Sequence, residues 1–116
     1  MIQQEGYKAK IDDFLIREKR YRDPKFSANQ LAEMLGVADY KLSRIMKDAY
    51  GMSYSEVVHT YRIQEAMHHL KNRRLSPYTV DDIGEMVGFK NRQSFFDAFK
   101  RITGTTPEKY RKSTIP

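Results

Sequence analysis

The chain contains no cysteine. That excludes a disulfide framework and any thiolate metal site, and it fits a reducing compartment. No apolar run approaches the roughly 18 residues that a membrane span needs, and the N-terminus lacks the apolar core of a signal peptide. A soluble, cytoplasmic protein is the expectation. Sustained alternation of apolar and polar residues is missing, so strands are not expected. Low-complexity stretches are also missing. No nucleophile–base–acid set, phosphate-binding glycine loop or dinucleotide fingerprint occurs, so neither an enzyme nor a cofactor is expected. Three histidines, His59, His68 and His69, invite a metal reading, but their spacing argues against it. His68 and His69 are adjacent and diverge by about 100° around a helix, unlike the i, i+4 pair that zinc takes.

What is present is 116 residues, 40% of them hydrophobic, with a net charge of +6. This is the size of one domain or two very small ones, with a modest core. The basic balance favours an anionic partner: nucleic acid, an acidic membrane surface or an acidic protein.

Helix starts and stops are frequent. "KAKIDDFLIREKRY" sets Tyr7, Ile11, Phe14 and Leu15 at helical spacing, and Asp23-Pro24 ends that segment. Ser27 with Gln30 forms a capping box for a second helix carrying Leu31, Ala32, Met34 and Leu35 and stopping at Gly36. Asp39 is the expected N-cap of a third helix, with Leu42, Ile45, Met46 and Ala49 inward and Gly51 at its end. Ser53 and Glu56 open a long helix running to Arg74. Its expected buried stripe is Val57, Val58, Tyr61, Ala66 and Leu70, with Ile63 and Met67 at the margins. After the connector "LSPY", Thr79 with Asp82 starts a short helix closed by Gly88. Asn91 caps the next, with Phe95, Ala98, Phe99 and Ile102 inward and Gly104 at the end. Pro107 takes the first position of a last short helix anchored by Tyr110. The fold class is therefore all-α, with about seven helices.

One sentence of this grammar is stated twice. Ala28 matches Val80 and Leu31 matches Ile83; Met34, Leu35 and Gly36 match Met86, Val87 and Gly88. One extra residue enters the second copy, and then Leu42 matches Phe95, Met46 matches Phe99, Lys47 matches Lys100 and Gly51 matches Gly104. Each copy is a short helix, a turn opening on glycine and a second helix, the helix-turn-helix layout. Packing one face of each second helix leaves the other free. In the first copy that face carries Tyr40, Lys41, Ser43, Arg44 and Lys47; in the second, Arg92, Gln93, Phe96, Asp97 and Lys100. Arginine can grip guanine bidentately, glutamine can grip adenine, and aspartate can accept from cytosine. Lysines and helix N-termini suit phosphates. Between Lys90 and Lys112 stand seven basic residues against two acidic ones.

At these residues the chain resembles the C-terminal DNA-binding domain of the AraC/XylS family of bacterial transcription regulators. The resemblance spans about Phe26 to Lys112 and rests on "LAEMLGVADYKLSRIMK", "GMSYSEVVHTYRIQEAMHHL" and, most specifically, "IGEMVGFKNRQSFFDAFKRITGTTPEKYR". The resemblance implies two helix-turn-helix units joined by a long linker helix: a lead-in over 1–25, the first unit over 26–52, the linker over 53–74 and the second unit over 75–116. It implies a sequence-specific regulator of transcription, usually an activator that contacts RNA polymerase. Its two recognition helices would enter neighbouring major grooves of double-stranded DNA, about one helical turn or ~34 Å apart, so a monomer suffices. The lead-in "REKRYRDPKFSANQLA" resembles members in which this domain follows a sensor, with the output module on the cytoplasmic side of any membrane anchor. The chain departs from the family at Gln93, where Ser or Thr is usual, at Asp97, where Arg is usual, and at Gly84, where Ala is usual.

The expected base readers are Tyr40, Ser43, Arg44, Arg92, Gln93 and Asp97; the expected phosphate contacts are Lys41, Lys47, Asn91 and Lys100. Asn91 reads first as a helix cap. Asp97 either accepts from a base or braces Lys100 and Arg101, which lie three and four residues on. Phe96 either meets a thymine methyl or packs on its own unit. Arg62 is expected in a structural ion pair. The competing reading is a helical protein-interaction module whose basic face meets an acidic partner.

Overall fold

The computed structural model describes residues 4–71 and 77–113, so the connector residues Leu75 and Ser76 and the expected end of the long helix at Arg74 lie outside the described residues. Seven α-helices and no strand occur among the described residues: α1 (Gln4–Ile11), α2 (Ala28–Leu35), α3 (Asp39–Tyr50), α4 (Tyr54–Lys71), α5 (Val80–Met86), α6 (Arg92–Thr103) and α7 (Pro107–Ser113). They divide into two compact units, residues 1–58 and 59–116, with the boundary inside α4.

In the first unit α2 and α3 pack as a pair, and α1 lies against both. The first helix is not continuous as expected from sequence. It gives way to a π-helical turn at Asp12–Arg17, closed by the Glu18 amide donating to the Asp13 carbonyl at 3.0 Å, and then to a 3-10 turn at Arg20–Arg22. Lys19 between them takes a left-handed φ of 56°. Ile11 and Leu15 are nonetheless fully buried. The Tyr50 hydroxyl and the Lys8 ammonium both donate to Asp12, which ties this turn to α3.

The α2 capping box forms in both directions, Gln30 amide to Ser27 Oγ and Ser27 amide to Gln30 Oε1. The same reciprocal bonds join Ser53 with Glu56 at α4, and Thr79 with Asp82 at α5. The Thr79 amide and hydroxyl hold the Asp82 carboxyl below its ordinary pKa. At α3 the expected cap is shifted by one. Ala38 occupies the capping position without a side-chain bond, and Asp39 is the first helical residue, where its charge complements the positive end of the helix dipole. Gly51 and Gly104 end α3 and α6 with φ of 70° and 83°, a left-handed geometry that favours glycine.

The core of the first unit is chiefly aliphatic: Leu31, Ala32, Leu35, Leu42, Ile45, Met46 and Val57 are buried. The core of the second is built on rings. Phe95 sits 5.4 Å from Phe89 and 5.9 Å from Phe99, and Phe99 sits 5.7 Å from Tyr110 on α7. Two stripe assignments change. In α4, Ile63 is fully buried and Tyr61 only half-buried, because the buried line runs Val58, Arg62, Ala66, Leu70 at four-residue steps. In α6, Ile102 is exposed; Thr103 takes the inward side at that level, its hydroxyl donating to the Phe99 carbonyl at 2.7 Å. Arg62, buried within the α4 line, places its guanidinium 5.3 Å from the Phe89 ring centre.

Candidate nucleic-acid interface

The first face belongs to α3. Burial of Leu42, Ile45 and Met46 turns Tyr40, Lys41, Ser43, Arg44 and Lys47 outward, and all five are exposed. Tyr40 is 79% exposed, an unusual placement for a large ring. A depression of about 340 Å³ runs beside it, lined by Tyr7, Tyr40, Lys41, Arg44 and Ile45. Arg44 leans on Asp48 one turn on, at a loose 3.7 Å, with its side chain 87% exposed. A surface pair of this kind contributes little and leaves the guanidinium free to leave it for a better acceptor.

The second face belongs to α6. Burial of Phe95, Ala98 and Phe99 turns Arg92, Gln93, Asp97 and Lys100 outward, and these four are exposed. Arg92 is committed to the protein. It donates to Asp81 on α5 and to Glu108 on α7, the latter at 3.3 Å, and its guanidinium stacks 4.3 Å from the Phe96 ring centre. Phe96 is half-buried, edge-on to Phe95 at 5.9 Å. It packs on its own unit and serves as a platform for Arg92. Sequence reasoning missed Asp81 and Glu108 as partners of Arg92. They lie 11 and 16 residues away, beyond any local spacing rule.

Asp97 does not brace the lysine or arginine that follow it. Among the described residues its partner is Gln93, whose Nε2 donates to the carboxylate at 2.8 Å. Arg101 is instead drawn to α4, where its Nη2 donates to His59 Nδ1 at 3.0 Å. That bond requires a neutral imidazole. Burial, then the nearby Arg101 and Arg62 charges, hold the His59 pKa below its ordinary value. Asn91 caps α6, accepting from the Ser94 amide at 2.8 Å through Oδ1. Its side-chain NH2 remains a donor. Among the described residues no group of three or more His, Asp or Glu is placed to hold a metal ion, and His69 bonds Glu65 one turn back at 3.1 Å. No helix among the described residues is long and apolar enough to cross a membrane.

Residues 31–113 match the family described as a helix-turn-helix domain. The "Probable transcription factor PqrA" of Proteus vulgaris is 32% identical over 109 residues, covering 91% of this chain and 87% of that protein. The "Uncharacterized HTH-type transcriptional regulator YtdP" of Bacillus subtilis is 34% identical over 92 residues, 78% of this chain, which spans only 11% of that protein's length. Among solved structures, the C-terminal domain of AraT, a response regulator from Geobacillus stearothermophilus, superposes with a TM-score of 0.84 at 24% identity. That match covers 95% of this chain and 87% of the other, a likeness of fold. The chain belongs to the helix-turn-helix family of AraC/XylS-type transcriptional regulators.

Proposed function

We propose that this protein regulates transcription by binding double-stranded DNA at a specific sequence. The observation that carries the reading is the duplication: two helix pairs in register, each turning a polar and basic face of its second helix to solvent, in a chain of charge +6. In this reading α3 and α6 are the recognition helices, entering neighbouring major grooves about one helical turn apart. Tyr40, Ser43 and Arg44 read bases from α3. Arg44 carries the strongest contact there, because a loosely held fork can engage guanine O6 and N7. Gln93 reads bases from α6, flanked by Arg92, which stays on its protein partners, and by Asp97, to which its amide is bonded. Lys41, Lys47, Lys100 and the Asn91 amide contact phosphates. The chain acts as a monomer, serves as the output module of a larger sensor protein, and activates transcription through contact with RNA polymerase in the cytoplasm.

Selection of bound duplexes from a random pool, followed by affinity measurements at several salt concentrations, tests this. The expected product is an asymmetric site with two short boxes about ten base pairs apart. Three lysine contacts to phosphate give a log–log salt slope of about −3. Weak binding that is flat with salt, and no enriched sequence, would sink the proposal and favour an acidic protein partner.

A further inference from the structure

Gln93 and Asp97 stand one turn apart on the exposed face of α6, joined by the 2.8 Å bond from Gln93 Nε2. A carboxylate only accepts, so the nitrogen end of the Gln93 amide must face Asp97 and the oxygen end must face away. The terminal torsion of a free glutamine is broad and roughly two-fold, so an untethered amide presents either end. The tethered one presents a fixed edge: Oε1, and the amide hydrogen not given to Asp97. That acceptor–donor edge complements the N6 donor and N7 acceptor of adenine in the major groove. Against guanine it would set Oε1 toward O6, acceptor against acceptor.

The neighbouring arginines do not compete for this carboxylate. Arg92 is held by Asp81 and Glu108 over Phe96, and Arg101 by His59. Gln93 is also the second residue of α6, and N-terminal residues of a recognition helix are those that reach base edges. Resting on the DNA-binding reading above, we infer that Asp97 is a positioning residue that locks the Gln93 amide into an adenine-reading orientation. An acid at this position also repels phosphates, so its role is selectivity at the expense of affinity.

The test compares wild type, Gln93→Ala and Asp97→Ala by duplex selection, by affinity for a random-sequence duplex, and by thermal unfolding. Wild type is expected to prefer adenine at one position of one box by on the order of tenfold. Both variants should lose that preference while melting as wild type does. Asp97→Ala alone should also bind the random duplex more tightly. Retention of the adenine preference in Asp97→Ala overturns the inference. So does loss of a cytosine preference in its place, which would make Asp97 a direct reader. So does equal weakening at every position together with a lowered melting temperature, which would make the pair structural. If wild type itself selects no sequence, the DNA-binding reading fails and takes this inference with it.

Discussion

In the first unit the scaffold helix α2 carries Ala32 and the recognition helix α3 carries Leu42; the same register positions in the second unit hold Gly84 and Phe95. A Cβ added at Gly84 would lie 2.5 Å from Phe95 Cδ2. The two positions are therefore sterically linked: where the recognition helix carries a ring, the scaffold helix carries no methyl. A similar exchange runs along the exposed faces. Arg44 and Asp48 in α3 correspond to Asp97 and Arg101 in α6, the same two positions with the charges swapped. An acid four residues before a base is the better helical order for an ion pair. Yet the pair with the poorer order forms, at 3.7 Å, and the pair with the better order does not. In the second unit Gln93 and His59 have taken the two members separately. One backbone plan thus supports an open arginine face and a braced amide face.

The two units differ most in their arginines, Arg44 and Arg92. Arg44→Ala is expected to weaken binding to the cognate site by about 1–3 kcal/mol and to relax one base position, with stability nearly unchanged. Arg92→Ala is expected to act the other way round. It removes two exposed ion pairs and a stacked ring contact, together about 1 kcal/mol of stability, and changes base preference little. Parallel titration calorimetry and urea unfolding of the two variants check this. A lost base preference in Arg92→Ala at full stability would make the two arginines equivalent.

Next in size is the Gly84–Phe95 exchange. Gly84→Ala forces the Phe95 ring against its neighbours Phe89 and Phe99, an overpacking cost of about 1–3 kcal/mol. The better helix propensity of alanine returns about 1 kcal/mol. Net loss is expected, roughly 1 kcal/mol or slightly more, by urea unfolding. Phe95→Leu alone leaves a gap and costs roughly 1–2 kcal/mol. The double variant recreates the Ala–Leu combination of the first unit and should be more stable than the sum of the singles. Additive singles would show that the two positions do not compensate.

The sequence made the local features legible and left the tertiary ones dark. Ser27–Gln30, Ser53–Glu56 and Thr79–Asp82 were readable because a capping box needs only residues three apart. Phe95 and Phe99 were readable as core because they hold the register of Leu42 and Met46. The π-helical turn at Asp12–Arg17 was not, since the apolar spacing of Ile11 and Leu15 is that of an unbroken α-helix. The Asp97 partner was not readable either. Gln93, Lys100 and Arg101 all lie within one turn of it, and what removes Arg101 is His59, 42 residues away. Arg92 poses the same difficulty: its exposure was foreseen, but the carboxylates that claim it come from α5 and α7.

The smallest expected effect tests why the second unit breaks its ion pair. His59 accepts from Arg101 only while neutral, and its pKa is held down chiefly by burial and then by Arg101 and Arg62. The unfolded chain takes up this proton first, as pH falls through about 6.5. Between that value and the lower folded pKa the unfolded state binds more protons, so stability rises with pH across the window and is reduced below it. His59→Gln is neutral at every pH and should remove that part of the slope. Urea unfolding of both proteins between pH 7.5 and about 5 isolates the His59 contribution as a difference. Once protonated, His59 can no longer hold Arg101, and the Arg101 guanidinium is released toward Asp97 one turn back. The second unit should then come to resemble the first at low pH, with an Asp97–Arg101 pair replacing the Gln93 tether. Loss of the adenine preference in wild type as pH falls through the lowered His59 pKa, but not in His59→Gln, would be the signature; identical slopes for the two proteins would mean that His59 plays no part.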